Sequence, residues 1–385
     1  MIKFDTLHDN EHDDSFVKIK ILGIGGAGGN TINSMKDFGL EGVSGYVAAN
    51  SDMQALRQSK ADCKIQLGVK ATKGLGCGAN PEVGRRATEE DLEQIMEQLG
   101  DADIVFIVAG MGGGTGSGGA PVVAKALKDR GILTIAVVTK PFVFEGRRRM
   151  NIAQEALETL KKEVDTLIVV PNEKLLNLVD RSTSMIESFE MINQLLMQSV
   201  KSVSSIISRS GHINVDFADL RAIMKGMGLA MMGTGSASGE NRAVEAAKKA
   251  ISSQLLENMD IKSARGVLLN ICGGPNLSLH EINDAANVIY DESNKDAHII
   301  LGSVIDPTMG DEVVVSVIAT GFSPAGIQAQ AEKVVASVAQ LPQEEKRLFT
   351  EPQLARIMAE DSNKSQDDSF EVPAYLRQQQ GIDSK

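Results

Sequence analysis

Apolar positions along this chain follow two alternating rhythms. Short, near-continuous apolar runs occur at 103–109 (DIVFIVA), 132–138 (ILTIAVV) and 166–170 (TLIVV), with further strand patterns at 17–22 (VKIKIL) and 43–49 (VSGYVAA). Strands apolar on both sides are what a parallel sheet needs when helices cover both of its faces. Between the runs the period changes to three or four. In 152–164, Ile152, Ala156, Leu157, Leu160 and Val164 share one stripe. Strand and helix alternate, which predicts an α/β fold with a doubly wound parallel sheet.

A longer stripe covers 183–208, where Met185, Phe189, Ile192, Leu196, Val200, Val203 and Ile207 recur every three or four residues before Ser210-Gly211 ends it. This predicts a long central helix. A second, smaller α+β domain is expected beyond it. Its elements are a helix near 217–226, an apolar segment at 227–233, a helix at 239–256, and strands near 266–272, 297–304 and 313–319. The last two strands flank the turn residues Asp306-Pro307 and Gly310-Asp311. One more helix is expected at 326–340, followed by a polar tail punctuated by Pro342, Pro352 and Pro373. The expected organisation is an acidic disordered arm (1–15), a first domain (16–182), the central helix (183–210), a second domain (211–321), a linker (322–369) and a terminal peptide (370–385). His8 and His12 lie among acids in the arm, where a solvated tail explains them better than a metal site.

Composition narrows the chemistry. A net charge of −12 over 385 residues disfavours a general phosphate-backbone binder, and 14 aromatics without a tryptophan disfavour base-stacking platforms. Cys63, Cys77 and Cys272 are too few and too scattered for a disulfide framework or a zinc site. No apolar run approaches the length of a membrane span, and the N-terminus has no signal-peptide pattern. Glycine is in excess, at 37 residues, and sixteen of these fall in the segments 23–29, 74–84 and 110–119.

The first loop, Gly23-Ile-Gly25-Gly26-Ala27-Gly28-Gly29-Asn30, contains G-x-G-x-x-G between a strand and a helix. That context suits a dinucleotide or phosphate site, and equally a structural tight turn. The second, Gly110-Met-Gly112-Gly113-Gly114-Thr115-Gly116-Ser117-Gly118-Gly119, holds seven glycines in ten residues. Such density costs several kcal/mol of chain entropy as a mere turn, at up to about 1 kcal/mol each. With the hydroxyls of Thr115 and Ser117 beside the backbone amides, it reads as a phosphate cradle. The third loop, Gly74–Pro81, reads by itself as a surface loop. No G-x-x-x-x-G-K-[ST] occurs, which excludes a Walker-type P-loop.

The segment GGGTGSG (112–118) is similar to the signature loop of the tubulin/FtsZ family. GIGGAGGN (23–30), GANPEVGR (78–85), KPFVFEGRRRM (140–150), PNEKLL (171–176) and NVDFADL (214–220) follow the bacterial cell-division GTPases of that family, over roughly residues 17–321. The resemblance implies a GTP-binding, GTP-hydrolysing protein that polymerises head to tail into the filaments of the division ring, in the cytoplasm beneath the membrane. It places Gly25, Gly26, Ala27, Gly28, Gly29 and Asn30 around the GTP or GDP phosphates. Gly112, Gly113, Gly114, Thr115, Gly116 and Ser117 join them there. Any Mg²⁺ is expected on the phosphates and water, with no protein metal site.

Glu145 and Arg149 form, by spacing alone, an ordinary i,i+4 surface pair. The resemblance turns them toward the ribose and phosphates. Phe189 belongs to the apolar stripe and by itself reads as core, while Asn193 flanks the stripe, where an amide needs a partner. By resemblance the two stack on guanine and hydrogen-bond its edge, and Asn172 matches another base- or sugar-contacting position. Asp216 could simply cap the following helix, yet Asp216 and Asp219 share a helix face and could polarise one water. The resemblance makes Asp216, Asp219 and Asn214 the group that activates the attacking water. If Asn193 touches the base, the helix carries the chain roughly 24 Å away before Asp216 is reached. These carboxylates then serve a neighbouring subunit, and a head-to-tail filament follows.

Two departures stand out. Ser117 replaces the more frequent threonine and keeps the hydroxyl. Cys77 replaces a more usual alanine and puts a thiol beside the expected nucleotide, open to alkylation. In the tail, Val372, Pro373, Tyr375, Leu376 and Arg377 are similar to the family's terminal peptide that docks membrane-tethering partners. Two other classes compete: an NAD-dependent oxidoreductase using Gly23, Gly25 and Gly28 with Asp52 on the ribose, and a filament protein without hydrolysis.

Overall fold

The computed structural model describes residues 17–176, 179–180, 182–208, 215–253 and 261–322. Strands β1 (Ile19–Ile24), β2 (Val43–Asn50), β3 (Cys63–Gln66), β4 (Ile104–Gly110), β5 (Leu133–Lys140) and β6 (Thr166–Pro171) lie side by side in the order β3-β2-β1-β4-β5-β6. All their pairings are parallel. The order reverses between β1 and β4, which creates a crevice at the carboxyl ends of these two strands.

Among helices of eight residues or more, the described residues form α1 (Gly25–Phe38), α2 (Pro81–Glu90), α3 (Leu92–Leu99), α4 (Thr115–Asp129) and α5 (Arg147–Glu163). Then follow α6 (Met185–Ser208), α7 (Phe217–Met224), α8 (Arg242–Ile251) and α9 (Leu279–Glu292). Successive side chains of each strand enter opposite cores. Ile104, Phe106 and Val108 meet Ile32 and Met35 of α1 and the inner face of α6, whereas Val105, Ile107 and Ala109 meet α3, α4 and α5. This is why those strands read as unbroken apolar runs.

The sheet does not stop at β6. Strand β7 (Gly228–Ser238) joins β6 in parallel through three residue pairs, Thr166 to Gly228, Leu167 to Leu229 and Ile168 to Ala230. Strands β8 (Gly266–Gly273), β9 (His298–Ile305) and β10 (Glu312–Thr320) complete ten strands in the order β6-β7-β10-β8-β9. The turn at 306–311 does not make neighbours of the strands it connects. β10 lies antiparallel between β7 and β8, and β9 pairs in parallel with the far side of β8. Val313, Val315 and Val317 alternate into a third core with α8 and α9, while Ile318, Leu268 and Ile300 reach the core built on α6.

A half-buried ion pair, with Arg242 as its buried member, fastens this part of the molecule. The Arg242 side chain donates to Glu281 Oε1 at 2.7 Å and to the Asp311 carbonyl at 2.8 Å. The guanidinium, with help from the Ser278 amide and hydroxyl, holds the Glu281 carboxyl down at about 2. A carboxyl with a depressed folded-state pKa adds stability that is fully present above its unfolded value, near 4.5, and fades as pH falls toward 2. Melting curves should show wild-type protein losing a contribution on the order of 2 kcal/mol between pH 5 and pH 2. Glu281→Gln should be less stable at pH 7 and lack that component. Parallel pH profiles for the two proteins would refute the assignment.

Candidate nucleotide-binding site

An open cavity of about 440 Å³ lies at the carboxyl ends of β1, β4, β5 and β6, at the reversal of strand order. Helix α1 begins at Gly25 and α4 at Thr115, directly after the two glycine loops. Neither N-terminus is closed by a side-chain cap, whereas Asn80, Asp216 and Ser278 cap α2, α7 and α9. Uncapped N–H groups and the positive ends of two helix dipoles at one cavity form an anion site.

The glycines divide by role. Gly26 and Gly113 line the cavity and have nothing within 4 Å of where a Cβ would stand. Gly25, Gly114 and Gly116 also line it, yet Gly116 must clear the Gly110 carbonyl, which a Cβ would meet at 2.6 Å. Gly28 packs behind the loop, 2.5 Å from Val108 O by the same measure. Gly29 borders a smaller adjoining cavity. At Gly112 the backbone is left-handed, with φ of +97°. Its N–H donates to Ser117 Oγ at 2.8 Å, and the Ser117 side chain is buried inside the loop. The loop therefore uses Ser117 to hold its own shape, while Thr115 lines the cavity. Thr115 Oγ1 in turn lies 2.7 Å from Ser51 Oγ.

Cys77 is buried, not open to reagents, and its Sγ lies 3.2 Å from Ser51 Oγ. A Cβ on Gly114 would strike the Cys77 Cβ at 2.6 Å, so the third loop packs against the back of the second. The thiol expected to be open to alkylation is instead packed beneath the second glycine loop.

The rest of the wall comes from β5, β6 and α6. Glu145 and Arg149 form an ion pair at the cavity, and Glu145 Oε1 also accepts from the Phe142 amide at 2.9 Å. Phe189 is 41% exposed and lines the cavity, so it does not belong to the core its stripe predicted. Its ring meets Phe142 edge-on at 5.8 Å, and Phe142 stacks on Phe144 at 4.8 Å. Asn193 faces the cavity beside Thr31, and Asn30 lines the same space. Asn172 is 5% exposed and lines the cavity, and its Oδ1 has no hydrogen-bond partner. A buried amide oxygen without a partner costs about 1–3 kcal/mol, which a ligand donor would recover. Thr31, Ser51, Phe142 and Thr139 escaped the sequence reading. Only the position of Ser51 after a parallel strand could have signalled it.

Asp52, the ribose acid of the oxidoreductase alternative, caps a short helix instead, accepting from the Gln54 amide at 2.8 Å.

Asp216 and Asp219 lie elsewhere. Asp216 caps α7, its Oδ1 accepting from the Asp219 amide at 2.7 Å. The helix is tied to the amino ends of the strands: Arg221 donates to Gly131 O just before β5 at 3.1 Å, and the Gly226 amide donates to Asp165 just before β6 at 3.2 Å. The cavity lies at the carboxyl ends, so the two sites are separated by the length of β5, roughly 25 Å for its eight residues. Asn214 and the peptide residues Val372, Pro373, Tyr375, Leu376 and Arg377 lie outside the described residues, as do the 1–15 arm and the 326–340 helix.

A switch-point cavity with two glycine loops, on a sheet extended by a mixed second half, is the arrangement of the tubulin-like nucleotide-binding proteins. Residues 18–180 match the GTPase domain of the Tubulin/FtsZ family, and residues 228–323 match the C-terminal domain of the FtsZ family. The chain belongs to this family of GTPases, on its FtsZ, cell-division side. It is similar to an empty FtsZ dimer from M. jannaschii, with 44% identity and a TM-score of 0.77 over 80% of this chain and 89% of that one. It also resembles a GDP-bound monomer of CetZ1 from Haloferax volcanii, with 25% identity and a TM-score of 0.71 over 83% of this chain and 99% of that one. In a GTPγS-bound protofilament of CetZ2 from the same organism the likeness is one of fold, with 24% identity and a TM-score of 0.68 over 84% and 99% of the two chains.

Proposed function

We propose that the chain binds GTP in the switch-point cavity and hydrolyses it only within a head-to-tail filament of the cell-division ring. The observation that carries this reading is the placement of Asp216 and Asp219 at the opposite end of the sheet from the cavity. Carboxylates roughly 25 Å from their own cavity cannot reach its γ-phosphate. A second copy stacked on the first brings them there, and repetition of that heterologous contact gives a filament.

In this reading the amides of Gly26 and Gly113 and the N-termini of α1 and α4 hold the phosphates, with Thr115 contributing its hydroxyl. Arg149, fixed by Glu145, lies along the phosphates and ribose. Asn172 accepts from a ribose or base donor. Phe189 gives a ring face to the base, and Asn193 gives its amide to the base edge. Among the described residues Glu145 is the one carboxylate on the cavity wall and is committed to Arg149, so Mg²⁺ would be held by phosphate oxygens and water. Bound there, it would neutralise charge on the leaving phosphates. Asp216 and Asp219 of the next subunit, with Asn214, orient and deprotonate the water. No helix among the described residues is long and apolar enough to cross a membrane. The 370–377 segment is the element we assign to membrane-tethering partners.

The test is GTPase rate against protein concentration. The rate should be near zero below a threshold and rise steeply above it. A rate proportional to protein through the origin would show that one subunit suffices.

A further inference from the structure

Two adjacent residues at the amino end of β6 grip the far end of the helix that carries the carboxylates. Met224 closes α7, and its carbonyl is one of those that a helix end leaves without an intrahelical partner. Thr166, fully buried as the first residue of β6, donates its hydroxyl to that carbonyl at 2.5 Å. Asp165 acts in the opposite sense. Its Oδ1 accepts from the Gly226 amide, just past the helix, at 3.2 Å, and its carbonyl accepts from the Gly228 amide at 2.9 Å. Its Oδ2 accepts from the Thr134 amide of β5 at 3.0 Å. One carboxylate thus joins β5, β6 and the end of α7, through hydrogen bonds of the stronger, charge-assisted kind.

The strands it joins are also those that lead, at their carboxyl ends, to Thr139, Pro141 and Asn172 of the cavity wall. Helix α7 has eight residues and is about 12 Å long, so it moves as a unit, and a shift at Met224 is carried to Asp219 and Asp216. A misplacement of about 1 Å at a reacting group costs on the order of 100-fold in rate. We infer that Asp165 and Thr166 are positioning residues for hydrolysis in the neighbouring subunit. They fix α7 on the strands that frame the cavity, and so set where Asp216 and Asp219 meet the next subunit's nucleotide. This rests on the proposed site shared between subunits.

The experiment uses the full chain as wild type, Asp165→Asn and Thr166→Val, with calorimetric titration of GDP and steady-state GTPase assays above the assembly threshold. Asparagine keeps one acceptor where two amides need one each, and valine keeps the shape of threonine without its hydroxyl. Both variants should bind GDP within twofold of wild type and keep its KM for GTP, while kcat falls at least tenfold. Adding Thr115→Arg, whose own α7 is intact, should restore part of the rate to each. Adding Asp216→Asn, whose carboxylate face is itself damaged, should restore none. An unchanged kcat in both variants, a parallel loss of GDP affinity, rescue by both partners or by neither, or loss of cooperative melting in both would overturn the positioning role. If Thr115→Arg fails to rescue Asp216→Asn as well, the shared site itself falls, and this inference with it. Rescue there, beside an unchanged kcat in Asp165→Asn and Thr166→Val, would remove this inference alone.

Discussion

Asp216→Asn is expected to bind GTP as wild type does, melt at the same temperature, and hydrolyse GTP at least about 100-fold more slowly. The residue has two roles, and this substitution separates them. As the N-cap of α7, Asp216 accepts from the Asp219 amide. Asparagine caps as well as aspartate, so the fold should be unaffected. On the proposed mechanism, what is lost is the carboxylate that takes the proton of the attacking water. Asp216→Ala would add a cap penalty of about 1 kcal/mol. Filaments of the Asn variant should persist, because the step that dismantles them is blocked. Mixing it with a cavity variant such as Thr115→Arg should restore part of the activity, since some contacts then join an intact cavity to an intact carboxylate pair. Loss of GTP binding in the isolated Asn variant would refute a site shared between subunits.

Gly118→Ala should be severely damaging for the addition of a single methyl group. In an ordinary helix interior the same change gains about 1 kcal/mol. Here a Cβ would stand 2.0 Å from Pro81 O and 2.6 Å from Arg85 N, because α4 and α2 pack backbone against backbone. Neither contact is with a side chain that could swing aside. The helices must separate, at a cost of about 3 kcal/mol or more, which outweighs the propensity gain. For a folded region of this size that lowers the melting temperature by about 5 °C or more. Separation also shifts Gly114 and Thr115, so nucleotide affinity should fall with stability. Gly113→Ala is the contrasting case, with open space around its Cβ. It should melt within about 1 °C of wild type and lose affinity only. A Gly118→Ala protein with unchanged melting temperature would sink this account.

The parallel half of the sheet was legible because its strands are buried on both faces, which leaves an unmistakable apolar run. The 24-residue α6 was legible because seven of its positions form one stripe. Strand β3 was missed. It is four residues long at the sheet's edge, and only Ile65 is buried. Helix α9 was missed because its inner face is small, with Ala285 and Ala286 between Ile282 and Ile289. Its capping box, Ser278 with Glu281, was there to be read. The order β10-β8-β9 could not be read, since turn residues say where a chain reverses and not which strand it returns to.

At the site, glycine density pointed to two loops that border the cavity but did not separate the glycines that face it from those that let two backbones touch. Ser117 shows the same limit. A hydroxyl in a phosphate-type loop looks like a ligand donor until the fold shows it holding Gly112. Phe189 lies on an apolar stripe that runs out of the core at its first turns, and periodicity alone cannot show where a core ends.

Helix α6 also sets a constraint that no single side chain reveals. It runs unbroken for 24 residues, about 36 Å, with Asn193 near its beginning and the chain leading to Asp216 at its end. Each residue inserted between them would lengthen it by about 1.5 Å and rotate everything beyond by about 100°. In the proposed filament the interval from Asn193 to Ser208 therefore works as a gauge that relates one subunit's cavity to the next subunit's carboxylates, and a change in its length should uncouple GTP binding from hydrolysis.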